Sequence, residues 1–169
     1  LIKYSSDITL HYLCLDEKTF HKLTSLNKKN INPILLNDLE KADHFLRMAK
    51  EQPPSHEALN VSNRTPEEAS WIQYCWCLTP YLSWHILENY DVDSVLYVDS
   101  DIYFFNDWNK IYDEIGHKSV GIVRHRIPYS PAVGEFNVGV VYFKKNLIGY
   151  QCAEWWKDCL LNPKNKYYK

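Results

Sequence analysis

Short hydrophobic runs alternate along the chain with segments in which hydrophobic residues recur every three or four positions. The runs at residues 8–15, 33–36, 94–98, 119–123 and 136–143 are rich in β-branched and aromatic side chains, which is typical of buried strands. The segments between them have the spacing of amphipathic helices. Strands that alternate with helices predict an α/β protein with a mixed but mostly parallel sheet, in which residues 94–98 form a central parallel strand buried on both faces.

Capping residues mark where several helices begin. Asp16 is the predicted N-cap of a helix after the first strand, and the apolar stripe in residues 38–50 predicts a second helix. Thr65-Pro66-Glu67-Glu68 is a capping box with proline at the first helical position, so a helix is expected to begin at Pro66. A short helix or a turn is predicted at residues 106–115, and a closing helix at residues 147–161.

Residues 69–87 contain no Asp, Glu, Lys or Arg, and as a helix they are long enough to span a bilayer. They also carry serine, glutamine, threonine and histidine side chains, which argue against a membrane span. Because Pro80 removes a helical hydrogen bond, we expect two buried helices instead, one ending near residue 78 and one at residues 80–89.

Composition narrows the class of protein. The 169 residues are 46% hydrophobic and 15% aromatic, which excludes a disordered chain and fits one domain over residues 1–169. The net charge of −2 lacks the basic excess of a nucleic-acid binder. The five cysteines are odd in number and form no CxxC pair, so we expect reduced thiols. With no secretory signal, a cytoplasmic location is expected, with peripheral association at the inner membrane surface left open.

The acidic triplet Asp99-Ser100-Asp101 directly follows the apolar run of residues 94–98. Ligands of open α/β sheets bind at the carboxyl ends of strands, and in extended backbone residues i and i+2 point the same way. We therefore expect both carboxylates to face one cleft, with Ser100 turned aside. Two adjacent carboxylates favour a hard cation such as Mn²⁺ or Mg²⁺. The alternative is a solvated acidic turn.

Asn137 lies near the start of a hydrophobic strand, between Gly134 and Gly139. A buried amide must be hydrogen-bonded, and glycines let a ligand approach the backbone. Asn137 is therefore a candidate sugar-binding residue, and the alternative is an asparagine that satisfies a β-bulge.

Basic residues follow the strand predicted at residues 119–123. Arg126 is a candidate for binding phosphate or sugar hydroxyls, and His125 is a candidate for binding the acceptor substrate. The alternative is a solvated loop edge. Arg64, just before the capping box, is a weaker candidate for the donor side.

The segment YDVDSVLYVDSD at residues 90–101, followed later by Phe136-Asn137-Val138-Gly139, resembles the GT-A-fold glycosyltransferases. In particular it resembles the retaining branch of lipopolysaccharide galactosyl- and glucosyltransferases and glycogenin. The resemblance covers roughly residues 10–156. It implies a three-layer GT-A fold and a hexosyl transfer that retains the anomeric configuration.

The resemblance also implies ligands and roles. It implies a nucleotide-diphospho-sugar donor, usually UDP-linked, with Mn²⁺ or Mg²⁺, and a carbohydrate or lipid-linked acceptor. The family's metal-binding DxD falls on Asp99 and Asp101, its sugar-contacting asparagine on Asn137, and its acceptor side near His125. No carboxylate is placed as a nucleophile, so the catalytic residues stay unassigned.

The sequence departs from the family in three places. The family's Tyr-x-Arg-Leu helix pattern reads Thr79-Pro80-Tyr81-Leu82 here, so Arg64 is the candidate replacement for the missing arginine. The family's first strand and nucleotide-binding loop are expected before Leu1, and its Asp-Gln motif and last metal-binding histidine after Lys169. We therefore expect a partial GT-A domain, incomplete at both ends.

Two alternatives to a glycosyltransferase remain. A phosphatase with an Asp-x-Asp nucleophile usually continues with Gly-Thr near the N-terminus, whereas this chain continues Ile102-Tyr103 in its middle. A non-catalytic GT-A-like module that binds nucleotide sugars, or an inactive fragment, is the alternative from a different class.

Overall fold

The computed structural model describes residues 8–55, 58–59, 64–126 and 134–161 of the chain. Its strands are β1 (Leu10–Cys14), β2 (Ile31–Leu35), β3 (Ser94–Val98), β4 (Val120–Arg124) and β5 (Phe136–Lys144). Its helices are α1 (Glu17–Ser25), α2 (Leu36–Ala42), α3 (His44–Lys50), α4 (Pro66–Asn89), α5 (Asn109–Ile115) and α6 (Leu147–Leu161). The α/β class predicted from the alternating pattern is confirmed.

The prediction of a mostly parallel sheet is wrong. β1 pairs with β2 in a parallel two-stranded sheet, whereas β3, β5 and β4 form an antiparallel three-stranded sheet in that order. β3 has the predicted bounds, but it lies at the edge of its sheet and all five of its residues are half-buried. A run of apolar residues indicates that both faces of a strand are covered, and it carries no information about the direction of the neighbouring strand.

The helix starts predicted after Asp16 and at Pro66 are confirmed. Asp16 Oδ1 accepts the Thr19 backbone N–H at 2.7 Å, which makes Asp16 the N-cap of α1. At α4, Thr65 Oγ1 accepts the Glu68 N–H at 3.2 Å, and Glu68 Oε2 accepts the Thr65 N–H at 2.9 Å. This reciprocal pair satisfies two backbone donors at the start of the longest helix described.

Two predictions about helix breaks are wrong. α4 continues through Pro80 as one helix of 24 residues, and the Pro80 ring is fully buried. An interior proline costs about 3 kcal/mol, so tertiary packing around Pro80 must offset that cost. The helix predicted at residues 38–50 is in fact two helices, because Asp43 leaves the helical conformation and its Oδ1 accepts the N–H groups of Phe45 and Leu46.

Two hydrophobic clusters flank α4. One joins α4 to β2, α2 and α3 through residues such as Ile34, Leu46 and Tyr74. The other joins α4 to β5 and α6 through Leu87, Phe143 and Ala153. Trp84 and Val95 pack against both clusters, so α4 and β3 connect the two halves of the core.

No helix in the described part of the chain is both long enough and apolar enough to cross a membrane. None of the five cysteines, which all lie within the described ranges, forms a disulfide, as expected from their number and spacing.

Close packing at the start of α6 requires a glycine. A side chain at Gly149 would meet the backbone carbonyl of Lys144, and its Cβ would lie 2.8 Å from the Ser119 carbonyl oxygen. Both neighbours are strand-end backbone and cannot rotate away. The absence of a Cβ therefore sets how closely α6 approaches the β4–β5 sheet.

We predict that Gly149→Ala destabilises the protein by about 3 kcal/mol, because the methyl group forces the helix away from fixed backbone. Urea unfolding measures the change. Ile148→Ala is the matched control, since Ile148 is 65% exposed on the same helix and its truncation should cost far less. Equal effects of the two variants would contradict the close packing at Gly149.

Two half-buried histidines connect β1 to the end of α4. The His11 ring lies 4.4 Å from the Tyr90 ring, and the His85 ring lies 6.1 Å from it. Nδ1 of His11 is 2.9 Å from the Asn32 amide nitrogen, and Nδ1 of His85 is 3.2 Å from that of Asn89. An amide nitrogen only donates, so both rings accept at Nδ1 and are neutral. Burial lowers the pKa of both histidines below the ordinary 6.5, with His85 adding to the effect on His11 and Asp43 opposing it at His85.

We predict that the free energy of unfolding falls as pH drops below 6.5, the ordinary pKa that both histidines regain on unfolding. Below that pH the unfolded chain binds protons that the folded chain does not, so protonation favours unfolding. Urea unfolding at pH 7.5 and 5.5 measures the slope. The double variant His11→Asn/His85→Gln should flatten it, whereas His117→Gln, at an exposed position, should leave it intact. If the free energy of unfolding of the double variant still falls between pH 7.5 and 5.5, the pH dependence comes from groups other than His11 and His85.

Candidate functional site

A cleft of about 1090 Å³ runs along β1 and β3. Residues 8–13 line one wall and residues 91–102 line the other. Leu78, Leu82 and Ile86 of α4 also line it. Asp99, Ser100 and Asp101 follow the carboxyl end of β3 and line the cleft. This is the position expected for ligand-binding residues of an α/β sheet.

The acidic triplet forms a turn. The Ile102 N–H donates to the Asp99 carbonyl at 3.2 Å, which closes the turn over Asp99-Ser100-Asp101. The extended geometry that we predicted for these residues is therefore wrong, and Ser100 lines the cleft with its neighbours rather than turning aside. Asp99 is half-buried and Asp101 is exposed, so the two carboxylates differ in how firmly they are held.

Asp99 is held by a chain of hydroxyl groups that starts in α4. Thr79 Oγ1 donates to the Tyr97 phenol oxygen at 3.1 Å, and the Tyr97 hydroxyl donates to Asp99 Oδ1 at 2.8 Å. Burial, with a further contribution from Asp99, raises the pKa of Tyr97 to about 12. The phenol therefore stays protonated at neutral pH and keeps donating to the carboxylate.

Gly139 brings Asp99 and Asn137 together. The Asp99 N–H donates to the Gly139 carbonyl at 2.9 Å, which continues the pairing of β3 with β5 beyond the strand end. A Cβ on Gly139 would lie 3.1 Å from both Asp99 Oδ2 and Asn137 Oδ1. Two oxygen acceptors thus converge on a space that exists because residue 139 has no side chain.

Asn137 lies at a β-bulge. The register between β4 and β5 shifts so that Ile122 pairs with Val141 while Val123 pairs with Asn137. Asn137 Oδ1 accepts the Gly139 N–H at 2.9 Å inside this irregularity. These contacts support the interpretation of Asn137 as a bulge residue. Contact with a sugar is a separate proposal, which rests on the position of Asn137 next to Asp99.

Asn137, which is exposed rather than buried, and the buried Gly139 are not among the residues that line the cleft, and neither are the other predicted site residues outside the acidic triplet. His125 is half-buried, and its N–H donates to the Glu135 carbonyl at 3.0 Å. Arg126 is exposed and Arg64 is half-buried, and neither lines the cleft. Gly134 has the positive φ of 79°, which suits glycine, but it does not border the cleft. The structure thus brings together Asp99, Asn137 and Gly139, with Ser100 and Asp101 beside them.

The donor atoms at this site suit a hard cation. The Tyr97 hydroxyl bonds Oδ1 of Asp99 and not Oδ2, and the exposed Asp101 carboxylate follows in the same turn. Oxygen ligands of this kind are what Mn²⁺ and Mg²⁺ prefer. Within the described ranges, no three His, Cys, Asp or Glu side chains converge as a metal site.

Sequence reasoning missed Tyr97 and Thr79. Tyr97 is two residues before Asp99, which places both side chains on the same side of an extended strand. That spacing was available in the sequence. The partnership with Thr79 was not, since it depends on how α4 packs against β3.

The chain matches no protein-family profile and no solved structure. It is 28% identical over 167 residues to the uncharacterized protein YfnD of Bacillus subtilis (strain 168), an alignment that covers 95% of this chain and 48% of that protein. It is 27% identical over 178 residues to the uncharacterized protein YfnF of the same organism, covering 98% of this chain and 53% of that protein. The chain therefore spans about half the length of these relatives.

We predict that Asn137→Ala lowers the free energy of unfolding by about 1–2 kcal/mol, because the buried Gly139 N–H loses its acceptor. Asn106→Ala is the matched control: Asn106 Oδ1 accepts the Asp107 N–H at 2.8 Å at an exposed position, where water can replace it. Urea unfolding of both variants measures the difference. An Asn137→Ala protein as stable as the parent would contradict the bulge role.

Proposed function

We propose that this chain is part of a metal-dependent glycosyltransferase that moves a sugar from a nucleotide-diphosphate donor, UDP-linked, to a carbohydrate or lipid-linked acceptor. The observation that carries the proposal is the Asp99-Ser100-Asp101 turn at the carboxyl end of β3, on the wall of the cleft and beside Asn137. The resemblance of the two motifs to the GT-A family supports it. So does the spatial contact between them at Gly139, because the motifs are far apart in sequence.

The proposed division of labour follows from how each side chain is held. Asp99 is fixed by the Tyr97 hydroxyl, so it supplies a carboxylate in a set position. Asp101 is exposed and free to adjust to a ligand at the mouth of the cleft. These two residues would hold a divalent cation, which would supply positive charge to the diphosphate leaving group.

On the sugar side, Asn137 is the proposed contact. Its Oδ1 is already used by the Gly139 N–H, so its NH₂ group is the donor for a sugar hydroxyl. His125 and Arg126 belong to the proposed acceptor side. Arg64 is proposed as the contact that replaces the arginine missing from α4. Retention of the anomeric configuration is proposed from the resemblance alone.

We predict that Asp101→Asn abolishes the rise in melting temperature that Mn²⁺ and UDP together produce in the full-length protein. The change removes an anionic ligand, while the melting temperature without ligand is held or slightly raised because repulsion from Asp99 is relieved. The measurement is a thermal melt with and without Mn²⁺ and UDP. Asp91→Asn, an exposed carboxylate that lines the other end of the same cleft wall, is the matched control and should keep the response.

Three outcomes are informative. Loss of the rise in melting temperature in both variants would show that the response depends on the overall charge of the cleft and not on Asp101 in particular. A melting temperature that falls without ligand, with no response in either protein, would make Asp101 a structural turn residue. Binding of Mn²⁺ and UDP without transfer or hydrolysis of the sugar would favour the non-catalytic nucleotide-sugar-binding module.

A further inference from the structure

Asp99 is held through its backbone and through one of its two carboxylate oxygens. Its N–H donates to the Gly139 carbonyl at 2.9 Å, and its own carbonyl accepts the Ile102 N–H at 3.2 Å. Its Oδ1 accepts the Tyr97 hydroxyl at 2.8 Å. Because the backbone on both sides of the side chain is fixed, rotation of the carboxylate would break the hydrogen bond at Oδ1, and that bond involves a charged group.

The Tyr97 hydroxyl is itself held from the core. Its oxygen accepts the Thr79 hydroxyl at 3.1 Å, and Thr79 is buried in the middle of α4. The Tyr97 side chain also packs against the hydrophobic cluster that joins α4 to β5 and α6. The phenol therefore cannot move with the carboxylate, and Oδ1 of Asp99 stays directed at the core.

The second oxygen of Asp99 is the one left for a ligand. A Cβ on Gly139 would lie 3.1 Å from Oδ2 of Asp99 and 3.5 Å from Cδ1 of Ile102, so Oδ2 lies over a residue that has no side chain. Asp99 and Ile102 both line the cleft. A cation that reaches Asp99 from the cleft thus meets one carboxylate oxygen rather than two.

Divalent cations differ in how they use a carboxylate. Ca²⁺ takes about six to eight oxygen ligands in a flexible arrangement and often binds both oxygens of one carboxylate. Mg²⁺ and Mn²⁺ prefer about six oxygen ligands in an octahedron, to which a carboxylate contributes one oxygen. A carboxylate that offers one oxygen therefore deprives Ca²⁺ of a ligand and leaves the octahedral cations unaffected.

We propose that Thr79 and Tyr97 are positioning residues that make the site select Mg²⁺ and Mn²⁺ over Ca²⁺, because they keep Oδ1 of Asp99 away from the cation. The exposed Asp101 adjusts to either kind of cation, so the selection comes from Asp99. This inference rests on the cation of the proposed function and does not depend on sugar transfer.

The test is a titration of the full-length protein with Mn²⁺ alone, followed by electron paramagnetic resonance of the free ion, and a competition with Ca²⁺. We expect Tyr97→Phe to lower the ratio of the Ca²⁺ to the Mn²⁺ dissociation constant about tenfold, the size of the effect of one hydrogen bond to a charged group. Thr79→Val should change the ratio in the same direction by less. Tyr12→Phe, which removes a hydroxyl from the opposite wall of the cleft, is the matched control and should leave the ratio unchanged.

The ratio separates positioning from stability, because a residue that only supports the fold would weaken both cations equally. Equal weakening in Tyr97→Phe, or an unchanged ratio, would overturn the inference. If Tyr97→Phe does not fold, Thr79→Val decides, and an unchanged ratio in that variant would overturn it.

Two further results distinguish this inference from the proposed function. Asp99→Asn should abolish Mn²⁺ binding, and a parent protein that binds no Mn²⁺, or a variant that still binds it, would overturn both the inference and the proposed cation site. Selectivity that Tyr97→Phe relaxes, in a protein that transfers no sugar, would support the inference and overturn the transferase.

Discussion

The packing of α4 against both sheets is the contact on which the rest of the fold depends. The β1–β2 sheet and the β3–β5–β4 sheet share no strand, and hydrophobic clusters on either side of α4 connect them. This role explains why the helix is buried through its middle and continues past Pro80. The same packing places Thr79 under Tyr97, so the position of Asp99 is set from within the core.

Local features of this fold could be predicted from the sequence, because their causes lie within a few residues. The Asp16 cap, the capping box at Thr65 and the bounds of β3 depend on neighbouring side chains and on short apolar runs. The direction of strand pairing and the continuity of α4 depend on contacts between distant segments. Pro80 illustrates the limit, since its local cost is known and the packing that offsets it is not visible in the sequence.

The candidate site was predictable to a similar extent. Asp99, Asp101 and Asn137 stood out because polar residues interrupt apolar strands, and the structure places Asp99 and Asn137 around Gly139. The sequence did not specify that the acidic triplet turns, because a turn and an extended segment suit the same residues. His125, Arg126 and Arg64 were chosen for their chemistry, and chemistry alone does not place a side chain on the cleft wall.

The hydrogen bond from Tyr97 to Asp99 determines which carboxylate oxygen of Asp99 is available in the cleft. One carboxylate oxygen of Asp99 is engaged by a phenol that does not ionise near neutral pH, whereas Oδ2 lies over Gly139. In the proposed function, Asp99 would offer one oxygen in a fixed position, whereas the exposed Asp101 could offer one oxygen or two. A ligand bound in this way would be held through Asp99 while Asp101 exchanged partners, so that its release would not disturb the core.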